Sequence, residues 1–371
     1  MVHIPELVDA HCHGVVADAV DADAFALWCS EASVPAPPGV SYLDGPLGLA
    51  VRRWCAPPLD LPAHAPAAAY LARRAELGAD EVTRRMLRAA GLATLLVDTG
   101  LRARADRWLG ADGLGEAAGA EAAEVVRLET VAQRVAASGV TASGFAPAFA
   151  AALADATRGA VAVKSVLAYR HGLGIDPERP PARAVTAAVG EWLRVGGGRL
   201  IDPVVLRHVL WCGVDTGLPV QVHTGFGDRD LALTRADPAL LQPWLAAAEP
   251  SGVPVVLLHC YPYHRHAGWL AQVYPQVYVD VGLTLGHVGG RAGPVLAEYF
   301  ELAPFGKLLY SSDAYGLAEL FLVGAAQFRA ALTQLVTEWT GAGVLAATDA
   351  RRLASAVAAD NARRVYRLPG A

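Results

Sequence analysis

Short apolar segments recur along the whole chain, separated by alanine-rich stretches with helical spacing. Each segment is rich in Val and Leu and nearly continuous in hydrophobicity, which is typical of parallel strands buried on both faces. The stretches between them, such as residues 182–193 and 204–216, favour helices. The predicted strands are residues 7–13, 92–98, 125–131, 160–167, 219–223, 254–259, 277–282 and 307–313.

Strand–helix alternation repeated in this way predicts an α/β fold, a (β/α)8 TIM barrel. A chain of 371 residues suits a single barrel domain, residues 1–371, with insertions. One connection is far too long for a simple loop, the segment 14–91 after the first strand. It contains proline clusters and a helix-like run over 65–90. Because it leaves the face where barrel active sites lie, we interpret it as an inserted, mostly helical lid or pocket segment rather than a disordered linker.

Several of the predicted strands end in a residue that could bind a metal ion. His11 and His13 lie two positions apart on the first strand, so both side chains point the same way. Such a pair alone is weak evidence, because buried histidines are usually satisfied by hydrogen bonds. His223, His259 and Asp313 end later strands, and an unpaired buried charge is costly. The pattern therefore predicts a divalent metal site at the mouth of the barrel.

Other polar residues follow the same strands and are candidates for substrate binding. Arg170 lies just beyond the fourth strand and could hold a substrate carboxylate in a two-pronged hydrogen bond, or it could be a surface arginine. Tyr169 is expected to line the same pocket. His264 and His287 lie in loops after the sixth and seventh strands and are expected to reach the substrate, although loop histidines are commonly solvated.

Composition and charge limit the classes of partner. Hydrophobic residues make up 54% of the chain and charged residues 18%, and the net charge is −5, so nothing favours nucleic acid or a membrane surface. The five cysteines form no CxxC pair, which favours reduced thiols. The N-terminus lacks the basic-then-apolar order of a signal peptide, and we expect a cytoplasmic protein. A homo-oligomer is left open, since the sequence shows no interface.

By strand order and by ligand type at strands one, five, six and eight, the chain resembles the amidohydrolase superfamily. Within it, the similarity is to the amidohydrolase-related (family 2) branch, which includes metal-dependent decarboxylases. The run 163–173 is similar to barrel domains fused to glutamine-synthetase-like domains, and no such partner domain is present in this sequence. The resemblance implies that His11, His13, His223 and Asp313 hold the main metal and that Asp313 also moves a proton. It implies that His259 binds a second metal or contacts the reacting group.

Lys164 ends the fourth strand inside an apolar run, and three interpretations stay open. In two-metal relatives, a lysine at this place is carboxylated by CO₂ and bridges both ions. A lysine that contacts substrate is the second interpretation. The third is a lysine paired with Glu129 or Asp98 on neighbouring strands.

The predicted function is that of a metal-dependent amidohydrolase, a hydrolase that uses a metal-activated water on a C–N bond of a small, carboxylate-bearing molecule. Imidazole and carboxylate ligands suit zinc, as one or two ions, with manganese or iron as alternatives. Asp313 and His259 are the expected catalytic residues. Two other functions compete with this one: a single-metal lyase, such as a decarboxylase, and a non-catalytic barrel that keeps the ligands for structure or for binding a partner.

Overall fold

The computed structural model of the protein describes residue 4, residues 6–101 and residues 107–370. Eight strands form one parallel sheet in sequence order, and this confirms the predicted barrel. Backbone hydrogen bonds from Ala10 N to Tyr310 O (3.1 Å) and from Asp313 N to His11 O (2.9 Å) join the last strand to the first. The barrel strands are Leu7–Cys12, Leu92–Asp98, Glu121–Arg127, Ala162–Ser165, Val220–Thr224, Val255–His259, Val277–Asp280 and Leu308–Leu309.

The third strand begins and ends earlier than predicted. It runs over Glu121–Arg127, and a helix over Leu128–Ala137 follows at once. The prediction of residues 125–131 was wrong there because Leu128, Val131 and Val135 are buried at helical spacing. The strand instead starts with four residues that are not buried, so its first half lacks the apolar signal on which the prediction depended.

Helices cover the outside of the barrel and occupy most of its connections. Helices Ala182–Arg194 and Pro203–Asp215 lie where the alanine-rich spacing predicted them. The other α-helices are Ala22–Trp28, Pro46–Trp54, Ala67–Leu77, Ala79–Ala90, Ala111–Ala118, Leu128–Ala137, Phe145–Ala156, Leu167–Arg170, Gln242–Ala248, His264–Val273, Thr284–His287, Ala292–Tyr299, Ala318–Gly341, Ala347–Ser355 and Asn361–Tyr366.

The long segment 14–91 is mostly helical. It starts with a short strand, Val15–Val16, which pairs antiparallel with Trp108–Leu109. Helices Ala22–Trp28, Pro46–Trp54 and Ala67–Leu77 follow. The last helix of the segment, Ala79–Ala90, packs against Ala318–Gly341 and leads into the second barrel strand, so it belongs to the helices around the barrel. The earlier part is the inserted portion that can cover the barrel mouth.

A buried ionic cluster joins this inserted portion to the helix after the eighth strand. Glu319 accepts hydrogen bonds from Tyr70 Oη (3.0 Å) and Arg74 Nε (2.8 Å), and its carboxylate is fully buried. A buried carboxylate is stable only when it is paired and hydrogen-bonded, so all three residues depend on one another. The cluster fixes the insert close to the segment that carries Asp313.

We expect Tyr70→Phe to lower the free energy of unfolding by about 2 kcal/mol, because it removes a buried hydrogen bond to a charged group. Denaturant unfolding measures this loss. Tyr42→Phe is the matched control, since Tyr42 Oη donates to Val34 O at an exposed site. That control is expected to change stability by less than about 0.5 kcal/mol. Equal losses in the two variants would show that the Glu319 cluster does not hold the insert.

The helix Ala318–Gly341 is long and apolar enough to cross a membrane by length and composition alone. Most of it is buried within the protein, where it packs against Ala79–Ala90 and Ala292–Tyr299. Buried helices of soluble barrels have the same composition, and packing on the barrel explains the apolar character of this one.

Candidate metal centre and substrate cavity

Side chains from four barrel strands meet around the carboxylate of Asp313. Its Oδ1 lies 3.2 Å from His11 Nε2 and 3.3 Å from His13 Nε2, and its Oδ2 lies 3.5 Å from His259 Nε2. The His223 ring is next, with its centroid 4.6 Å from that of His259. The structure thus brings together the histidines and the aspartate that the sequence predicted as metal ligands.

Hydrogen bonds to Nδ1 of His11 and His13 determine that the Nε2 atoms of these rings face the predicted metal site. His11 Nδ1 lies 2.8 Å from Gln221 Oε1, while Gln221 Nε2 donates to Ala10 O and Tyr366 Oη. Because that amide nitrogen already donates, Oε1 accepts a hydrogen bond from His11 Nδ1–H, and the lone pair of Nε2 faces Asp313. His13 Nδ1 lies 3.2 Å from the backbone oxygen of Asp98 and donates to it in the same way. Both imidazoles are therefore oriented as metal ligands.

The spacing of these atoms fits a shared divalent ion. Two ligand atoms, each about 2.0–2.2 Å from one ion, lie about 3.0–3.5 Å apart in common coordination geometries. The three nitrogen–oxygen separations at Asp313 are in that range. Buried His223 Nε2, His259 Nε2 and Asp313 Oδ1 also find no hydrogen-bond partner among the residues that the structure describes. Buried polar atoms are normally paired, so a metal ion is the partner that this donor set fits.

The electrostatic environment favours the metal-binding form of each group. Burial lowers the pKa of His11 to about 3 and that of His259 to about 4, so both rings are neutral near pH 7. Burial alone would raise the pKa of Asp313, but His259, His11 and His13 hold it well below its usual value. A carboxylate among neutral imidazoles is the charge distribution that divalent transition metals bind.

Lys164 adjoins the predicted ligands and two further charged residues. Its Nζ lies 2.8 Å from His11 Nε2 and 3.8 Å from Asp98 Oδ2. Burial lowers its pKa, against the opposing charge of Asp98. Asp98 is itself held by Arg127, whose Nη2 lies 2.6 Å from the same carboxylate oxygen. Lys164 thus faces the metal ligands, with Asp98 as the nearer of the two carboxylates that the sequence suggested.

A cavity of about 400 Å³ lies directly beside these ligands. Its lining includes His13, Lys164, His223 and Asp313 from the barrel and residues 27–28 and 30–33 from the insert. A larger groove of about 1630 Å³ is lined by the insert and the C-terminal helices, but it contains none of the predicted ligands. We assign the substrate to the smaller cavity because only that one reaches the reactive groups. The insert therefore contributes to the pocket, as its position after the first strand suggested.

The residues predicted to bind substrate fall into two groups. Tyr169, Arg170 and His287 line the cavity, and the Tyr169 ring centroid is 4.5 Å from that of His223. Arg170 Nε is buried and has no hydrogen-bond partner within the described part of the chain. His264 is absent from the lining of this cavity.

His264 begins the helix His264–Val273, and its Nε2 lies 2.7 Å from Glu298 Oε2. Its ring stacks on Tyr299 with the centroids 4.9 Å apart. These contacts hold the imidazole among the outer helices, outside the lining of the cavity, so the structure gives no support to the prediction that His264 contacts substrate.

A family model described as Amidohydrolase (Amidohydro_2) matches residues 8–368. The chain belongs to this amidohydrolase family. The match confirms the resemblance on which the sequence analysis relied, and it covers every ligand described above. Members of the family are metal-dependent hydrolases, decarboxylases or isomerases. Membership therefore indicates a metal-dependent enzyme but does not determine which of these reactions it catalyses.

Known proteins similar to this amidohydrolase include a longer fungal protein. It is 35% identical over 237 residues to the protein fluG of Emericella nidulans, a match that covers 59% of this chain and 27% of fluG. The chain thus spans about a quarter of the length of that relative. This partial coverage is consistent with the resemblance to barrel domains that occur in longer, fused proteins.

Solved structures share the fold over nearly its full length. A structure from Lactobacillus casei, provisionally described as a metal-dependent hydrolase, is 27% identical with a TM-score of 0.86, covering 99% of this chain and 96% of the other. Uronate isomerase from Thermotoga maritima has 16% identity and a TM-score of 0.61, covering 97% and 94% of the two chains. At that identity, the isomerase shows the fold alone.

Several residues that the structure places at this site were not assigned to it from the sequence. Asp98 and Arg127 end barrel strands just as the ligands do, so the same strand-end signal could have found them as site residues. Gln221 lies two positions before His223 on one strand, so both point into the barrel. Trp28 and Glu31 lie in the insert, and no local pattern indicates which insert residues reach the cavity.

Proposed function

We propose that the protein is a metal-dependent hydrolase that cleaves a C–N, amide-like bond in a small molecule bearing a carboxylate. The observation that carries the proposal is the position of Asp313. Its carboxylate lies within 3.2–3.5 Å of three imidazole nitrogens and also borders the substrate cavity. One group can therefore bind the ion and move a proton at the reacting atoms.

A bound divalent ion lowers the pKa of water to about 7 and polarises a carbonyl oxygen. Zinc is the ion that we propose, with manganese or iron as alternatives, because the donors are imidazoles and a carboxylate. His11, His13, His223 and Asp313 would hold it, and His259 would hold a second ion or contact the reacting group.

Asp313 Oδ2 then takes a proton from the attacking water and returns it to the leaving nitrogen, as a positioned carboxylate does in general acid–base catalysis. Residues 27–28 and 30–33 of the insert cover part of the cavity beside these groups. Arg170 is placed to bind the substrate carboxylate, because its buried Nε has no partner among the described residues.

Lys164 decides between a one-metal and a two-metal site. Its buried, deprotonation-prone amine beside His11 Nε2 is suited to react with CO₂ and to become a bridging carbamate ligand. We propose this form for the hydrolase. Intact-mass measurement under native conditions would detect the added CO₂, and an unmodified lysine in fully metallated protein would exclude the bridge.

The unmodified lysine favours a second candidate, a single-metal lyase such as a decarboxylase. In that case Lys164 stays an amine near His11 and contacts the substrate, Arg170 holds the departing carboxylate, and His259 or Asp313 protonates the carbanion. One experiment distinguishes the two functions. Metal-loaded enzyme is incubated with a panel of carboxylate-bearing amides and with the matching unsaturated and aromatic acids.

Release of amine from the amides supports hydrolysis, and release of CO₂ from the acids supports the lyase. Inert amides with fully metallated protein would contradict the hydrolase. We further propose that the enzyme acts in the cytoplasm on a small molecule, without nucleic acid or membrane as partner.

Arg170→Gln is expected to raise KM for the hydrolysed amide about tenfold or more with little change in kcat, because it removes a charge-assisted contact to a non-reacting carboxylate. Steady-state kinetics separate the two constants. Arg194→Gln is the control, since Arg194 is 70% exposed and pairs with Glu191 on the protein surface. An unchanged KM in Arg170→Gln would show that this arginine does not bind substrate.

A further inference from the structure

A carboxyl group and an imidazole nitrogen face each other where the insert borders the cavity. Glu31 follows the insert helix Ala22–Trp28, and its Oε1 lies 3.5 Å from His287 Nε2. His287 Nδ1 lies 3.0 Å from the backbone oxygen of Leu283. A carbonyl oxygen can only accept, so Nδ1 carries the proton. Burial lowers the pKa of His287, so the ring is neutral and its Nε2 presents a lone pair to the Glu31 carboxylate.

A second carboxylate, Asp228, lines the same cavity. Its Oδ1 accepts a hydrogen bond from the backbone N–H of Asp230. Neither Glu31 nor Asp228 has an arginine or lysine within ion-pair distance in the described ranges. Asp230 differs, because Arg199 Nη1 lies 2.9 Å from it. The lid side of the cavity thus carries two carboxyl groups that no arginine or lysine of the described residues pairs with, Glu31 and the more exposed Asp228.

The environment of Glu31 disfavours the ionised form of its carboxyl group. Burial, together with the charges of Asp313 and Asp228, raises the pKa of Glu31 to about 8. The Glu31 side chain is 31% exposed and with this pKa is largely protonated near pH 7, so a bound cation would favour its ionised form. A cation bound in this cavity would be attracted by Glu31 and Asp228, and His287 Nε2, a buried atom without a hydrogen-bond partner among the described residues, could accept from it. An ammonium group fits them best, because it carries one positive charge and three N–H donors.

The opposite charge is available elsewhere in the cavity. Arg170 lines it with a buried Nε that has no hydrogen-bond partner among residues 4, 6–101 and 107–370. Arg127 and Arg199, by contrast, are already paired with Asp98 and Asp230. Apart from the predicted metal ligands, the Arg170 guanidinium and the carboxyl groups of Glu31 and Asp228 therefore remain available to a ligand.

We propose that the substrate is a zwitterion, an amide of an amino acid that keeps both a free ammonium group and a free carboxylate. Glu31, with Asp228 and His287 Nε2, binds the ammonium group, and Arg170 binds the carboxylate. This inference rests on the proposed function for the bond that is cleaved. Glu31 is then a specificity-determining residue that the insert supplies when it covers the barrel mouth.

Binding of unreactive probes tests the proposal. Zinc-loaded full-length protein is titrated calorimetrically with a panel of free L-amino acids and with the L-2-hydroxy acids of the same side chains, which lack the ammonium group. At least one amino acid is expected to bind about tenfold more tightly than its hydroxy acid, the effect of one lost charge-assisted contact. Glu31→Gln is expected to abolish this preference. Glu76→Gln, an insert residue whose side chain is 66% exposed, is expected to retain it.

Equal affinity for the two acids, failure of every amino acid to bind, or a full preference in Glu31→Gln would overturn the proposal. The outcome is separable from that of the hydrolase assay. Glu31-dependent binding of amino acids with inert amides would remove hydrolysis and keep the substrate class. If the enzyme hydrolyses amides that lack an ammonium group and binds no amino acid, the hydrolase function is kept and the zwitterionic substrate class is ruled out.

Discussion

Asp313→Asn is expected to lower kcat about a thousandfold, the loss typical of removing a positioned general base. The asparagine oxygen can still bind an ion, but the amide cannot accept the proton that Asp313 Oδ2 would take. The larger part of the loss should therefore appear in kcat and persist at saturating metal. Steady-state kinetics with a parallel measurement of bound metal separate the two roles.

The control for this variant is Asp202→Asn. Asp202 caps the helix Pro203–Asp215, and its Oδ1 accepts from Val204 N and Val205 N. Asparagine caps helices about as well as aspartate, so stability and activity should both be retained. If metal-saturated Asp313→Asn keeps kcat near that of the control, Asp313 is a ligand only, and another group moves the proton.

Gln221→Leu is expected to weaken metal binding about 10–100-fold, the usual cost of losing the partner that orients a ligand imidazole. Without the Gln221 acceptor, His11 Nδ1 loses its hydrogen bond at 2.8 Å, and the ring is free to turn or to change tautomer. A competition titration with a chelating dye measures the dissociation constant of zinc.

Gln276→Leu is the matched control, because Gln276 is also a buried glutamine and its Nε2 donates to Leu245 O away from the centre. Both variants should lose stability, and only Gln221→Leu should lose metal affinity. Equal metal affinity in the two variants would mean that His11 is oriented by other contacts or does not bind the ion.

The parts of the fold that sequence could predict are those that depend on local periodicity. Strands such as Val220–Thr224 and Val255–His259 are nearly continuous apolar runs, and their ends contain the predicted ligands His223 and His259. The third strand was predicted too late in the sequence because its first half, from Glu121, is partly exposed and lacks the apolar pattern of a buried strand. Its sequence signal came instead from the helix that follows.

The substrate side of the site depends on tertiary packing and was predicted less well. His264 follows a barrel strand, as His287 does, yet its ring turns outward to Glu298. Whether a loop histidine faces the cavity is decided by partners on other helices, which are distant in sequence. Glu31 lies in the insert, whose position depends on contacts such as that of Tyr70 with Glu319, 249 positions apart.

The central claim is that His11, His13, His223, His259 and Asp313 form a metal centre. Elemental mass spectrometry of untagged protein, purified without chelator, tests it most directly. The account predicts at least about one equivalent of a divalent transition metal per chain, and about two if Lys164 is a bridging carbamate. Folded protein that holds no such metal after growth and dialysis in zinc would contradict it.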